Sequence, residues 1–194
     1  IPAGIYVPEG ASLTIYGGPN GGCSLTAGAS NDYNAAIGGG YNNVYGTTSD
    51  CGTISIYGGT VTATGYRRGA GIGGGDEGNG GTITIGGGTV TATGGGYSSN
   101  GYIYGGAGIG GGDEGNGGTI VISGGKVNAS GKNGSAGIGG GLNAYGGSIT
   151  ISDGEVTATG SGYNSGGTTL AGAGIGGGSK PQGKDNSNSQ TILI

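Results

Sequence analysis

Fifteen consecutive residues, GAGIGGGDEGNGGTI, occupy positions 69–83 and return unchanged at positions 106–120. A chain does not repeat itself at that length by chance, and a recurring block of this kind means one structural unit stacked on the next. Looser copies of the AGIGGG core begin at Ala35, Ala136 and Ala173, with a degenerate copy, AGIYVP, at Ala3. The marker isoleucines Ile5, Ile37, Ile72, Ile109, Ile138 and Ile175 fall 29 to 37 residues apart.

Each repeat holds three segments in one order. AGIGGG comes first, a T-I-T-I segment second (53–56, 82–85, 119–122, 148–151), and T-V-T-A-T third, after a Gly-rich turn (60–64, 89–93, 126–130, 155–159). The second and third segments alternate apolar with polar and are rich in β-branched residues, which predicts half-buried strands. Leu13, Ile15, Ile54, Ile56, Ile83, Ile85, Ile120, Ile122, Ile149 and Ile151 then point inward on one face. Val61, Val90, Val127 and Val156, with their following alanines, point inward on another. No window shows helical periodicity, and glycine interrupts almost all of them.

Like segments recur at one coil length, so the natural neighbour of each strand is its own copy one repeat later. The prediction is an all-β parallel β-helix of about five Gly-rich coils with three faces per coil, ~4.8 Å apart. It is right-handed by general precedent. An alternative makes the AGIGGG face a polyglycine-II-like layer. Glycine supplies 60 of the 194 residues, but no Gly-X-Y period and only four prolines accompany it, which excludes collagen. The inserts at 28–34, 65–68, 94–105, 131–135 and 160–170 vary in length and are expected to share one edge.

The sequence reads as one domain, 1–194. It begins with Ile1 rather than Met and stops in mid-coil at Ile194, so a fragment or processed module with uncapped ends is expected. Net charge is −4 with six Lys+Arg and no basic cluster, which argues against nucleic acid. No apolar run reaches the ~20 residues of a membrane helix, so no membrane insertion is expected. Cys23 and Cys51 leave one internal disulfide open to the chain, closing a loop of about 28 residues. The repeat alignment does not place them side by side. Low charge and the lack of His and Met fit an extracellular protein.

The succession VPEGASLTI, SLTAG, CGTISIYGGTVTATG and GAGIGGG resembles the Gly-rich repeats of large secreted surface proteins of gut Firmicutes. Those are labelled carbohydrate-binding and are similar in style to pectate-lyase-like β-helices. The resemblance covers nearly the whole chain and implies a secreted or cell-wall-attached module that meets glycans or another cell-surface polymer. It carries over no catalytic residue, since the recurring residues are corner and core positions.

Four groups of residues could carry chemistry. Asp76, Glu77, Asp113 and Glu114 belong to the exact repeat, and stacked oxygen ligands beside glycine turns suit Ca²⁺. The alternative is solvated turn residues. Tyr66, Tyr97, Tyr102, Tyr104 and Tyr163 fall in the variable inserts, and exposed tyrosines suit stacking on sugar rings. The alternative is that they cover Gly-rich corners. Outward threonines (Thr60, Thr62, Thr64, Thr89, Thr91, Thr93) suggest an ice-binding array, although Lys126, Asn128 and Glu155 interrupt the ranks. Ile5, Leu13 and Ile15 at one end, with Ile192 and Ile194 at the other, would meet if modules stacked head to tail into a filament. With no His and no evident base beside a Ser or Cys, the sequence predicts no enzyme. Adhesion or glycan binding is the function expected.

Overall fold

A computed structural model describes residues 4–18, 22–30, 32–42, 47–48, 50–165, 168–180 and 191–193. Among them every regular element is a β-strand. Strands pair in parallel with their own copies one coil on. On the first face, face A, the ladder runs Ile5↔Ile37↔Ile72↔Ile109↔Ile138↔Ile175. Face B runs Leu13↔Ile54↔Ile83↔Ile120↔Ile149↔Ile192. Face C runs Leu25↔Val61↔Val90↔Val127↔Val156. The chain is a parallel β-solenoid of five coils with all three faces, and a sixth that adds faces A and B.

The three ladders enclose one apolar column. Ile54, Ile56, Ile83, Ile85, Ile120 and Ile122 are fully buried, as are Ile72 and Ile109 on face A. Burying one such side chain stabilises by about 1.5–3 kcal/mol, so identical side chains repeated in register make each coil's interior complementary to the next. Leu13, Ile15 and Leu25 at one end, and Val156, Ala158 and Ile175 at the other, are only partly buried against this column. Ile5 belongs to the same partly buried group. Ile192 joins by backbone pairing with Ile149, and Ile194 lies outside the described residues.

Face A is only two residues wide, Ile5–Tyr6 in the first coil and an Ile followed by a Gly in every later one. Those glycines hold φ of 137, 132, 131, 129 and 134 at Gly38, Gly73, Gly110, Gly139 and Gly176. A Cβ on Gly110 would stand 2.0 Å from the carbonyl oxygen of Gly139 in the next coil. Only glycine can therefore occupy this rung without forcing the coils apart. The rungs pair as parallel β-strands, and their φ departs from the −75° of an extended left-handed helix. The face is thus a narrow sheet and not a polyglycine-II layer.

Other corners differ from the sequence reading in detail. In two coils faces B and C form one continuous strand, Thr119–Ser130 and Ser148–Thr159, with register shifts at Ser123 in place of a separate turn. Two inserts form antiparallel hairpins at the C-to-A corner, Gly96–Ser99 with Tyr102–Gly105 and Gly162–Ser165 with Thr168–Ala171. A third hairpin, Tyr41–Asn42 with Thr47–Thr48, sits at an A-to-B corner that the segment pattern did not single out.

The disulfide open to Cys23 and Cys51 is not formed, and both cysteines are free. Cys51 is buried before the face-B strand Thr53–Ile56, whereas the Cys23 carbonyl accepts the Thr60 amide, at the far end of that strand's turn. Burial pushes the Cys51 thiol up to about 12, with Asp50 adding to the shift and a backbone bond to Gly39 opposing it. A thiol held neutral in this way does not exchange.

Candidate functional site: the edge where two corners meet

Because face A spans two residues, the corners on either side of it lie against each other. The A-to-B loop of each coil bonds back to a C-to-A corner. Asp76 N donates to Tyr33 O at 2.9 Å, Asp113 N to Arg68 O at 2.7 Å, Leu142 N to Gly105 O at 3.0 Å and Ser179 N to Gly134 O at 2.7 Å. The tyrosine-bearing inserts and the DEGN loops, separate features in the sequence, become one edge.

On that edge four of the five candidate tyrosines gather around two arginines. The hairpin sets Tyr97 opposite Tyr104, with ring centroids 6.3 Å apart and planes 13° from parallel. Tyr102 stacks on Tyr104 at 6.5 Å. The Arg67 guanidinium lies 4.2 Å from the Tyr97 ring and 5.4 Å from Tyr66, and Arg68 lies 3.5 Å from the Tyr104 ring. Tyr97 and Tyr104 are half-buried, while Tyr66 and Tyr102 stay 40% and 67% exposed at the rim. Asn133, from the next coil, supports the hairpin by donating to the carbonyls of Tyr97 and Tyr104. Tyr163 is not part of this ledge; its ring lies over Gly134, where a Cβ would meet it at 2.7 Å.

Both arginines are paired from below. Arg67 bonds Asp32, and Arg68 Nη1 reaches Asp76 Oδ2 at 2.9 Å. Burial works against the Arg68 charge, but Asp76, with help from Tyr104 and Asp113, holds the guanidinium above its usual value. Asp76 and Asp113 are buried, at 5% and 4% exposure. Burial raises Asp76 above the usual carboxylate range, against the pull of Arg68. Burial also drives Asp113 up to about 7. A bond from the Gly105 amide at 2.9 Å opposes that shift, and the nearby charges of Asp76 and Glu114 add to it.

The structure separates the four carboxylates of the calcium expectation. Among the described residues no group of three or more acidic or cysteine side chains converges on a metal position. Glu77 and Glu114 adopt left-handed backbone, with φ of 57 and 58, and are exposed while their neighbouring aspartates turn inward. The four carboxylates therefore divide between solvent and interior. The threonine ranks are also interrupted in space: one row runs Thr60↔Thr89↔Lys126↔Glu155, and the last two form an ion pair of 2.6 Å.

Sequence reasoning missed Tyr33, Arg67 and Arg68. The available signal was positional. Arg68 stands immediately before one copy of the exact repeat, and Gly105 immediately before the other.

Comparison with known proteins agrees with the architecture. A family model described as a beta helix repeat matches residues 54–76, 120–142 and 149–179. The first two stretches run from a face-B strand through face C and the next face-A rung to the loop beyond. The third follows the same path one coil further. No curated protein and no solved structure matches the chain.

Proposed function

We propose that this solenoid is a non-catalytic, extracellular repeat module that binds glycans or a related cell-surface polymer through the tyrosine–arginine ledge. The observation that carries the reading is the placement of Tyr66 and Tyr102 at the rim, exposed and backed by Tyr97, Tyr104, Arg67 and Arg68. Aromatic rings fixed on a rigid scaffold offer an apolar face with a polar tip, and little side-chain freedom is lost on contact. Asp32 and Asp76 neutralise the two guanidiniums and Glu77 and Glu114 face solvent nearby, so the ledge favours neutral sugars over acidic ones. A non-catalytic role is supported by the buried acids being tied to Arg68 and the Gly105 amide rather than lining an open cleft.

The test is retention on a panel of immobilised neutral polysaccharides. Tyr66→Ala combined with Tyr102→Ala removes two exposed rings and should leave the melting temperature within a few degrees, because surface substitutions rarely exceed about 0.5 kcal/mol. Loss of retention by the folded double variant supports the ledge, and unchanged retention rejects it.

End-to-end stacking is a second reading. The partly buried Ile5, Leu13 and Ile15 at one end, and Val156, Ala158 and Ile175 at the other, present parallel edges that another coil of the same kind would complete. Fibres of one solenoid width in electron micrographs support it; discrete short particles reject it.

A further inference from the structure

The same two-corner edge opens, at its far end, into a cavity of about 620 Å³. Tyr145 and Ala144 of one A-to-B loop, Ser179 and Lys180 of the next, and Leu170 and Gly172 of the second C-to-A hairpin line it. Its chemistry differs from that of the ledge. Lys180 Nζ lies 3.1 Å from the centroid of the Tyr145 ring. Among the described residues Lys180 meets no carboxylate, and no acid lines the cavity. Ser179 is 7% exposed, and its hydroxyl has no hydrogen-bond partner. Its oxygen lies beside Gly134 and the Tyr163 ring, away from the cavity, so this serine shapes the wall and does not contact a ligand. A cation held against an aromatic ring, with no anion beside it, is ready to form a charge-assisted bond.

We propose that this cavity binds an anionic sugar unit, a uronic acid. Its carboxylate pairs with Lys180, and its ring lies beside Tyr145. The remaining wall consists of backbone and small side chains from Ala144, Ala171, Gly172 and Gly177, which leaves room for a pyranose and its neighbour. The inference extends the glycan reading above to a second subsite, but it uses none of the ledge residues, so the two can fail separately.

The probes are methyl β-glucuronide and methyl β-glucoside, which differ only in carrying a carboxylate or a hydroxymethyl group. Titration of the full chain, followed by calorimetry or by NMR shifts, should show the glucuronide binding at least about tenfold more tightly, the effect of one such charged contact. That preference should shrink as salt is added. Lys180→Gln should abolish it, and Tyr66→Ala with Tyr102→Ala should leave it unchanged. Equal affinity for the two glycosides, no binding of the glucuronide, or a preference that survives Lys180→Gln in a folded protein overturns the proposal. Loss of the preference in the ledge variant alone assigns the acid to the ledge and also overturns it.

Discussion

Coils three and four begin with the same fifteen residues, and comparing them separates what a repeat fixes from what its surroundings fix. Their backbones coincide: Gly73 and Gly110 hold φ of 132 and 131, and Glu77 and Glu114 hold 57 and 58. Ile72 and Ile109 are equally buried, as are Ile83 and Ile120. Their aspartates nevertheless have different partners. Asp76 faces the guanidinium of the residue just before its repeat, Arg68. Asp113 faces the residue at the same position, Gly105, which supplies only an amide. Gly105 cannot be enlarged, because a Cβ there would lie 2.1 Å from the Lys132 carbonyl oxygen. The repeat sets conformation and burial, and the insert that precedes it decides whether the buried carboxylate meets a full charge.

The largest expected effect comes from breaking what the two coils share. Gly110→Ala places a methyl group against the Gly139 carbonyl, with the backbone in a region that L-residues avoid. Either fault alone costs about 1–3 kcal/mol, and together they approach the whole stability of a domain. The variant should be insoluble or lack a cooperative melt by circular dichroism. Gly28→Ala, where a Cβ meets nothing within 4 Å, is the matched control and should melt like the parent. A normal melt for Gly110→Ala would mean that face A is not closed as described.

A smaller effect should follow from making coil three resemble coil four. Arg68→Ala leaves Asp76 buried with neither oxygen paired to a charge, since Asp76 Oδ1 already lacks a hydrogen-bond partner. Removing one partner of a buried pair typically costs about 3–5 kcal/mol. Adding Asp76→Asn to Arg68→Ala should recover much of the loss by removing the stranded charge. If Arg68→Ala unfolds in urea at the parental midpoint, the pair is not structural.

The solenoid was legible because its determinants are local and repeated. An inward Ile or Val at every second strand position, returning once per coil, specifies both the face and the partner, and the burial of Ile54, Ile83 and Ile120 follows from it. The site was less legible because it depends on the width of face A. Nothing in the letters AGIGGG states that the rung is two residues long, or that its glycine adopts φ near 130. Those two facts are what bring position 68 against position 76 and make the tyrosine inserts and the acidic loops neighbours. Stacking alone puts carboxylate on carboxylate, and so suggested a metal. The left-handed turn at Glu77 and Glu114, which separates them, is a non-glycine exception that composition does not announce. Aligning the two exact copies one residue further back would have set Arg68 opposite Gly105 and pointed to the asymmetry.

The smallest effect, and the most direct reading of the contrast, is in pH. Asp113 is raised to about 7 from an ordinary value of 3.8, chiefly by burial. Between those values the folded protein keeps a proton that the unfolded chain has released, so folding is favoured by acid over this window. The contribution is full near pH 4, falls as pH rises, and is gone above about 7, amounting to at most about 1.4 kcal/mol per unit of displacement. Asp76 shifts in the same direction, with Arg68 opposing it, so Asp113 should dominate the slope. Urea denaturation at pH 5 and pH 8 should find the parent more stable at pH 5. Asp113→Asn keeps an oxygen to accept the Gly105 amide and has no proton to lose, so it should flatten the difference and be more stable than the parent at pH 8. Asp76→Asn alone should instead destabilise at both pH values, because it leaves Arg68 without its anion. Should Asp113→Asn retain the parental slope, the two aspartates would have to be exchanged in this account, with coil three rather than coil four holding the unsettled charge.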